Sequence, residues 1–468
     1  MGADLLTVLA SAAAGGMGWG IRGQYGHETG AMIAGVLVSL VLVLRVCPRA
    51  GLTAAARAAA LGTVATGFGG SMTYGQTVGL THDQSLVGNW EALRWGMLGL
   101  GIKGALWIGF TGLFLGVGLG RRRVGWREMA GVMLAMIALY PAGIWLFNRP
   151  FDPAQRILPP IYFSDAWYWE PDAVLKPRAE VWGGMLTALS AGWIWWGVIR
   201  GDVLTRNLTA WGVLAGAIGF PLGQSLQAYH AWNRAAFAAG SWATIDSVMN
   251  WWNWMETTFG ATFGAILAIG LLVNRRRVGI EAQTDGPRDR LPPVVVASLV
   301  LVHVALVIGC EFASWPLADA IYNHGPVLGA IPLVAATAGR QWPFLVILPI
   351  TLLPIAGKTF RALAAATPLA TIGGWIVWVI APVALATWLA VWLMRCARGG
   401  TATARDLAPA LGFTTLVYWG LNFAFFQYPW PWQTWTARTP NGLCFTLCAA
   451  LLIAVSVSAA RSPRGAPP

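Results

Sequence analysis

Long apolar runs alternate with short polar connections along the whole chain. The runs lie near 5–22, 29–46, 52–74, 92–119, 129–147, 182–200, 208–224, 246–273, 293–312, 317–338, 342–357, 367–394, 408–427 and 443–460. Most approach the roughly 20 residues that an α-helix needs to cross a hydrocarbon core, which predicts an all-α, polytopic integral membrane protein of about 14 transmembrane helices. Pro316, Pro326, Pro332, Pro343, Pro349 and Pro354 interrupt the pattern over 313–366. A re-entrant segment there would bring the count down to about 12.

The connections are of two kinds. Every second one carries arginine, at Arg45/Arg49/Arg57, Arg121-Arg122-Arg123/Arg127, Arg200/Arg206, Arg275-Arg276-Arg277/Arg288/Arg290, Arg395/Arg398/Arg405 and Arg461/Arg464. Those between carry aromatic and acidic residues, as in 162–172 and 428–435. This alternation predicts cytoplasmic arginine turns, two cytoplasmic termini and an extracytoplasmic 148–181 loop, the arrangement of a bacterial inner (plasma) membrane protein. Lys358 and Arg361 fall on the opposite side in this scheme.

Composition sharpens the picture. The chain is 56% hydrophobic and 11% charged, where a soluble domain has roughly 25% charged residues. Its net charge of +12 lies in the arginine turns, so it is read as facing anionic lipid headgroups and not as a nucleic-acid surface. Asp4 stands where a cleavable signal would have a basic residue. Five cysteines form no disulfide framework, and the Cys444/Cys448 pair, one helical turn apart, reads as packing. With no long polar linker, 1–468 is expected to be a single transmembrane domain.

Three stretches, at about 5–46, 52–125 and 208–279, share a layout; 280–468 supplies further helices. In each, a Gly-rich helix ends in Gly-Gln (Gln24, Gln76, Gln224), a polar stretch with histidine follows (His27, His82, His230), and a second Gly-rich helix returns. The last two both close on Arg-Arg-Arg-Val-Gly, at 121–125 and 275–279. All three Gly-Gln pairs end odd-numbered helices, which predicts parallel hairpin repeats enclosing a pathway. Many glycines, such as Gly112/Gly116 and Gly212/Gly216, sit four apart, as close helix packing requires. The bunching of Gly15, Gly16, Gly18, Gly20 and Gly23 goes further and predicts a weakened helix end near 15–30.

Charged groups in or near the spans are Glu28, Glu91, Arg94, Lys103, Asp246, Glu256 and Glu311. Such groups are costly in hydrocarbon and mark functional positions by default. A carboxylate that merely opens a helix is the plainer reading of Glu28, Glu91 and Glu256, and Asp246 reads as a helix cap. The expected substrate-binding set is Arg22, Gln24, His27, Glu28, Gln76, His82, Asp83, Asn89, Glu91, Gln224, His230, Asn253, Trp254 and Glu256, with Gln24, His27, Glu28, Gln76, Asn253 and Glu256 on one outward-opening cavity. Adjacent His-acid pairs lack a metal-ligand spacing, so no metal is expected. Of the 28 tryptophans, many fit interfacial belts; denser clusters at 167–170, 251–254 and 430–432 suit a sugar-like ligand or an organic cation. No phosphate-binding loop, nucleophile elbow or zinc-protease motif is present.

These readings favour a secondary transporter or facilitative channel for a small polar solute, without a bound cofactor and with proton or sodium coupling through Glu28 and Glu256. The alternatives are a membrane enzyme such as a lipid-linked glycosyltransferase, with His27 and Glu28 as its catalytic pair, and a structural membrane subunit.

Overall fold

The computed structural model describes residues 2–23, 25–26, 28–164, 167–172, 174, 176–283, 291–311, 315–322, 324–366, 372–427 and 434–461. Gln24 and His27 therefore lie outside the described residues. The described chain is helical, with two isolated β-bridges as its only extended pairings. Its helices are α1 Gly2–Arg22, α2 Glu28–Val46, α3 Leu52–Gly67, α4 Gly75–His82, α5 Trp90–Leu119, α6 Trp126–Phe147, α7 Trp182–Gly192, α8 Val203–Trp232, α9 Arg234–Phe237 and α10 Gly240–Ser247. They continue as α11 Trp251–Val273, α12 Pro293–Glu311, α13 Pro316–Tyr322, α14 Pro326–Ala338, α15 Trp342–Leu345, α16 Thr351–Ala366, α17 Ile372–Trp375, α18 Ala381–Arg398, α19 Ala408–Phe425 and α20 Thr439–Arg461.

A helix underlies each apolar run read from the sequence. Among the described residues, nine helical stretches are long and apolar enough to cross a membrane: Gly2–Arg22, Glu28–Val46, Trp90–Leu119, Trp126–Phe147, Trp251–Val273, Pro293–Cys310, Trp342–Ala364, Ile372–Arg398 and Thr439–Arg461. The proline-interrupted stretch breaks into short pieces, α13 and the 13-residue α14, before the longer helix that starts at Trp342. The outer helices turn apolar side chains away from the protein: Leu134, Trp145, Trp388 and Leu447 are 66–74% exposed. Such faces fit a lipid solvent and not water.

Six helices close a ring in chain order. α1 packs on α2, α2 on α3, α3 on α5, α5 on α8, α8 on α11, and α11 returns to α1. Aromatic side chains fill its interior. Trp19 of α1 meets Trp107 of α5 across the ring at 4.9 Å and Phe259 of α11 at 4.6 Å. Short polar caps start three of these helices by satisfying free backbone N–H groups. Asn89 Oδ1 accepts from Glu91 and Ala92 at 3.1 and 3.0 Å, Asp202 Oδ1 from Thr205 at 3.0 Å, and Asn250 Oδ1 from Asn253 at 3.1 Å.

Glycine sets how closely the ring closes. A Cβ at Gly216 would fall inside the carbonyl group of Gly104, and one at Gly260 inside that of Gly15. The α5–α8 and α1–α11 crossings are thus backbone against backbone. Gly216→Val is expected to destabilise the protein by about 1–3 kcal/mol or more, because rigid backbone cannot yield to the added methyls. A drop in the melting temperature of the detergent-purified protein measures it; an unchanged melt would contradict this packing.

Contacts tie the arginine-rich turns together at one end of the bundle. Asp4 pairs with Arg275 at 3.3 Å, Gly279 N donates to Leu119 O at 3.1 Å, and Gly51 and Thr403 form an isolated β-bridge. Arg57 Nε and Arg123 Nη2 donate to Ala336 O and Thr337 O at 3.3 and 3.2 Å, where they offset the negative end of the α14 dipole. At this end Cys47 is buried, and burial pushes its thiol up to about 12. Lys358 instead donates to Tyr25 O at 2.5 Å, in the turn between α1 and α2 at the opposite end. That carbonyl gives the cation a reason to stand away from the other basic groups.

Candidate functional site

A buried charged cluster forms where three ring segments meet. α1 ends at Arg22, whose charge suits a helix C-terminus. α3 ends at Gly67, and a 3-10 turn over Phe68–Ser71 and an extended link precede α4, so the third ring segment is discontinuous. Tyr74 lies in that break. Glu256 lies in the second turn of α11. Arg22 Nη1 donates to Tyr74 Oη at 2.8 Å and to Glu256 Oε1 at 3.0 Å, and Tyr74 Oη donates to the same oxygen at 3.3 Å.

Water is excluded here: Arg22 and Glu256 are each 1% exposed. The Arg22 guanidinium stands 4.9, 5.2 and 5.1 Å from the ring centres of Trp19, Tyr74 and Trp107, a cage that stabilises its charge. Burial this deep also separates Glu256 from a helix-start carboxylate, which stays in contact with solvent. Asn253, one turn earlier on the same face, donates from Nδ2 to Gly20 O at 2.5 Å. Its Oδ1 is buried without a hydrogen-bond partner among the described residues, as are Trp19 Nε1 and Gln224 Oε1. Unsatisfied buried polar atoms are few in native proteins, and each calls for an explanation. Glu28 opens α2 within electrostatic reach of Arg22.

The remaining expected residues lie elsewhere. Gln76 clamps the 148–181 loop: its Nε2 donates to Lys176 O at 3.0 Å and its Oε1 accepts from Arg178 N at 2.9 Å. Gln224 donates to Thr81 Oγ1 at 2.6 Å, bracing α8 on α4. His82 donates from Nδ1 to Val78 O at 2.9 Å and lies 3.8 Å from Asp83. Asn89 is the cap of α5, and Glu91 lies exposed in its first turn. His230 pairs with Asp246 at 2.8 Å and stacks on Trp251 at 4.5 Å. Asp246 is therefore a partner of His230, and Asn250 takes the capping role at α11. Trp254 is partly exposed.

Tyr74 and the partner of Lys103 had no sequence signal. Tyr74 carries no motif, and its place in the helix break emerges only with the fold. A second buried ion pair joins Lys103 of α5 to Glu180, 77 residues away, at 2.6 Å. Lys103 Nζ also donates to Thr77 Oγ1 and Thr73 O, both at 2.7 Å, so all three of its donors are used. Glu180 accepts from Phe163 N and Ser164 Oγ at 3.0 Å each, which pins the loop over the ring. Beside it, a cavity of about 510 Å³ is lined by Glu91, Arg94, Trp95, Tyr162, Tyr168 and Trp169, among others.

Among the described residues no three His, Cys, Asp or Glu side chains gather as a metal site requires. No protein-family model, curated protein or solved structure matches this chain.

Proposed function

We propose that the chain is a secondary transporter or facilitative channel for a small polar solute, sugar-like or an organic cation. In this reading the 12–14 spans cross a bacterial inner membrane with both termini cytoplasmic. Three parallel hairpins, α1–α2, α3–α5 and α8–α11, form the ring. The observation that carries the reading is the buried Arg22–Tyr74–Glu256 cluster at the break in a ring helix. Discontinuous helices and intramembrane ion pairs are the devices with which transporters hold solutes and coupling ions.

The chemistry follows from the charges. Protonation of Glu256, or a sodium ion on its carboxylate, cancels its hold on Arg22 and leaves the guanidinium with Tyr74. Asn253 and the freed Glu256 face then offer hydrogen bonds to a solute entering from the extracytoplasmic side. Solute release restores the ion pair and the closed ring. The aromatic plug of Trp19 and Trp107 prevents leakage between cycles.

The test uses purified protein in liposomes loaded with a pH-sensitive dye, with glucose, xylitol or choline added outside. At least one of these is expected to enter faster than into protein-free liposomes. Entry of all three at the protein-free rate overturns the proposal.

A further inference from the structure

The two Arg-Arg-Arg turns and the π-helical stretch Trp193–Ile199 that continues α7 to Arg200 converge on a second cavity, of about 450 Å³, at the arginine-rich end of the bundle. We infer that it is a binding site for a phosphate group, carried by the headgroup of an anionic phospholipid. Arg121, Arg122, Arg200, Arg276 and Arg277 line it against only two carboxylates, Glu128 and Asp202, a surplus of three positive charges.

The convergence is built by specific contacts. Gly279 N donates to Leu119 O at 3.1 Å, and a Cβ at Gly279 would strike Arg121, so the second triple-arginine turn is seated directly on the first. Gln283 Nε2 adds hydrogen bonds to Gly118 O and Gly120 O at 3.1 and 2.8 Å. The two acids are already engaged. Glu128 accepts from Arg122 at 3.3 Å and Arg200 at 3.2 Å, and Asp202 caps α8. Bringing like charges together is unfavourable unless an anion offsets them, and guanidinium forks match phosphate oxygens in pairs.

The remaining walls suit a lipid. Trp196, Val124, Val203 and Leu204 form an apolar side. Trp196 is 2% exposed, and its Nε1 has no hydrogen-bond partner among the described residues, which leaves a buried donor at the cavity wall. Basic pockets between membrane helices with an apolar flank are a known way of holding anionic headgroups. A free phosphate would use the arginines alone.

Native mass spectrometry of the detergent-purified full chain, titrated with phosphatidylglycerol or with inorganic phosphate, tests the inference. One phosphatidylglycerol is expected to be retained per chain. Arg276→Gln with Arg277→Gln is expected to weaken retention about tenfold, the scale of losing charge-assisted bonds. Arg276→Lys with Arg277→Lys, which keeps the charge and tests for misfolding, should lose part of it. Arg395→Gln with Arg398→Gln removes equal charge elsewhere and should change nothing. Displacement of the lipid by millimolar inorganic phosphate would place the affinity in the phosphate alone; resistance to it would place it in the whole headgroup. Absence of retention, or equal loss in both Gln pairs, overturns the inference, since diffuse charge then explains any binding.

Discussion

Lys103→Met is expected to lower stability by about 3–5 kcal/mol, the scale of breaking a buried ion pair at one partner. The change strips Glu180 of its cation in a site where the pair is 1% and 0% exposed. It also removes the donors that hold Thr73 O and Thr77 Oγ1. Loss of the pair releases the 148–181 loop, so trypsin should cut after Arg178 in the variant and spare the parent; Lys176 is followed by Pro177, which trypsin does not cleave. Adding Glu180→Gln should recover part of the loss, because no buried charge is then left unpaired. A loss under about 1 kcal/mol, the size of an exposed pair, would contradict the burial described here.

Glu256→Ala is expected to be nearly as costly, for the mirror-image reason: Arg22 keeps its charge in the Trp19–Tyr74–Trp107 cage and loses the carboxylate that offsets it. A loss of about 3–5 kcal/mol is again the relevant scale. Glu256→Gln should cost less, since the amide oxygen still accepts from Tyr74 and Arg22. Thermal melts of the two purified variants decide it. Equal melting of Glu256→Ala and the parent would show that Glu256 is dispensable to the cluster.

The helices were legible because apolar runs of bilayer length leave few alternatives to helix. Glu256 was legible as a charge deep in a span, but its pairing with Arg22, 234 residues away, was not singled out. Lys103 stood out for the same reason. Its partner did not, because Glu180 lies in a polar loop where an acid is unremarkable until the loop folds back over α5. Gln76 and Gln224 share a Gly-Gln motif, yet one holds a loop backbone and the other a threonine hydroxyl. Short polar side chains take their role from whichever backbone arrives nearby, and sequence spacing does not encode that arrival. Triple-arginine turns signalled topology in the sequence; their seating on one another required the three-dimensional contact at Gly279.

In the proposed transport cycle, solute passage runs through the opening of the Arg22–Glu256 pair. Uptake into liposomes, with internal pH and solute entry followed together for parent and Glu256→Gln protein of equal purity and dispersity, tests it most directly. Glu256→Gln is expected to abolish ion-coupled uptake while the protein remains folded and monodisperse. Unchanged coupled uptake by Glu256→Gln would contradict it and leave the pair as a structural brace.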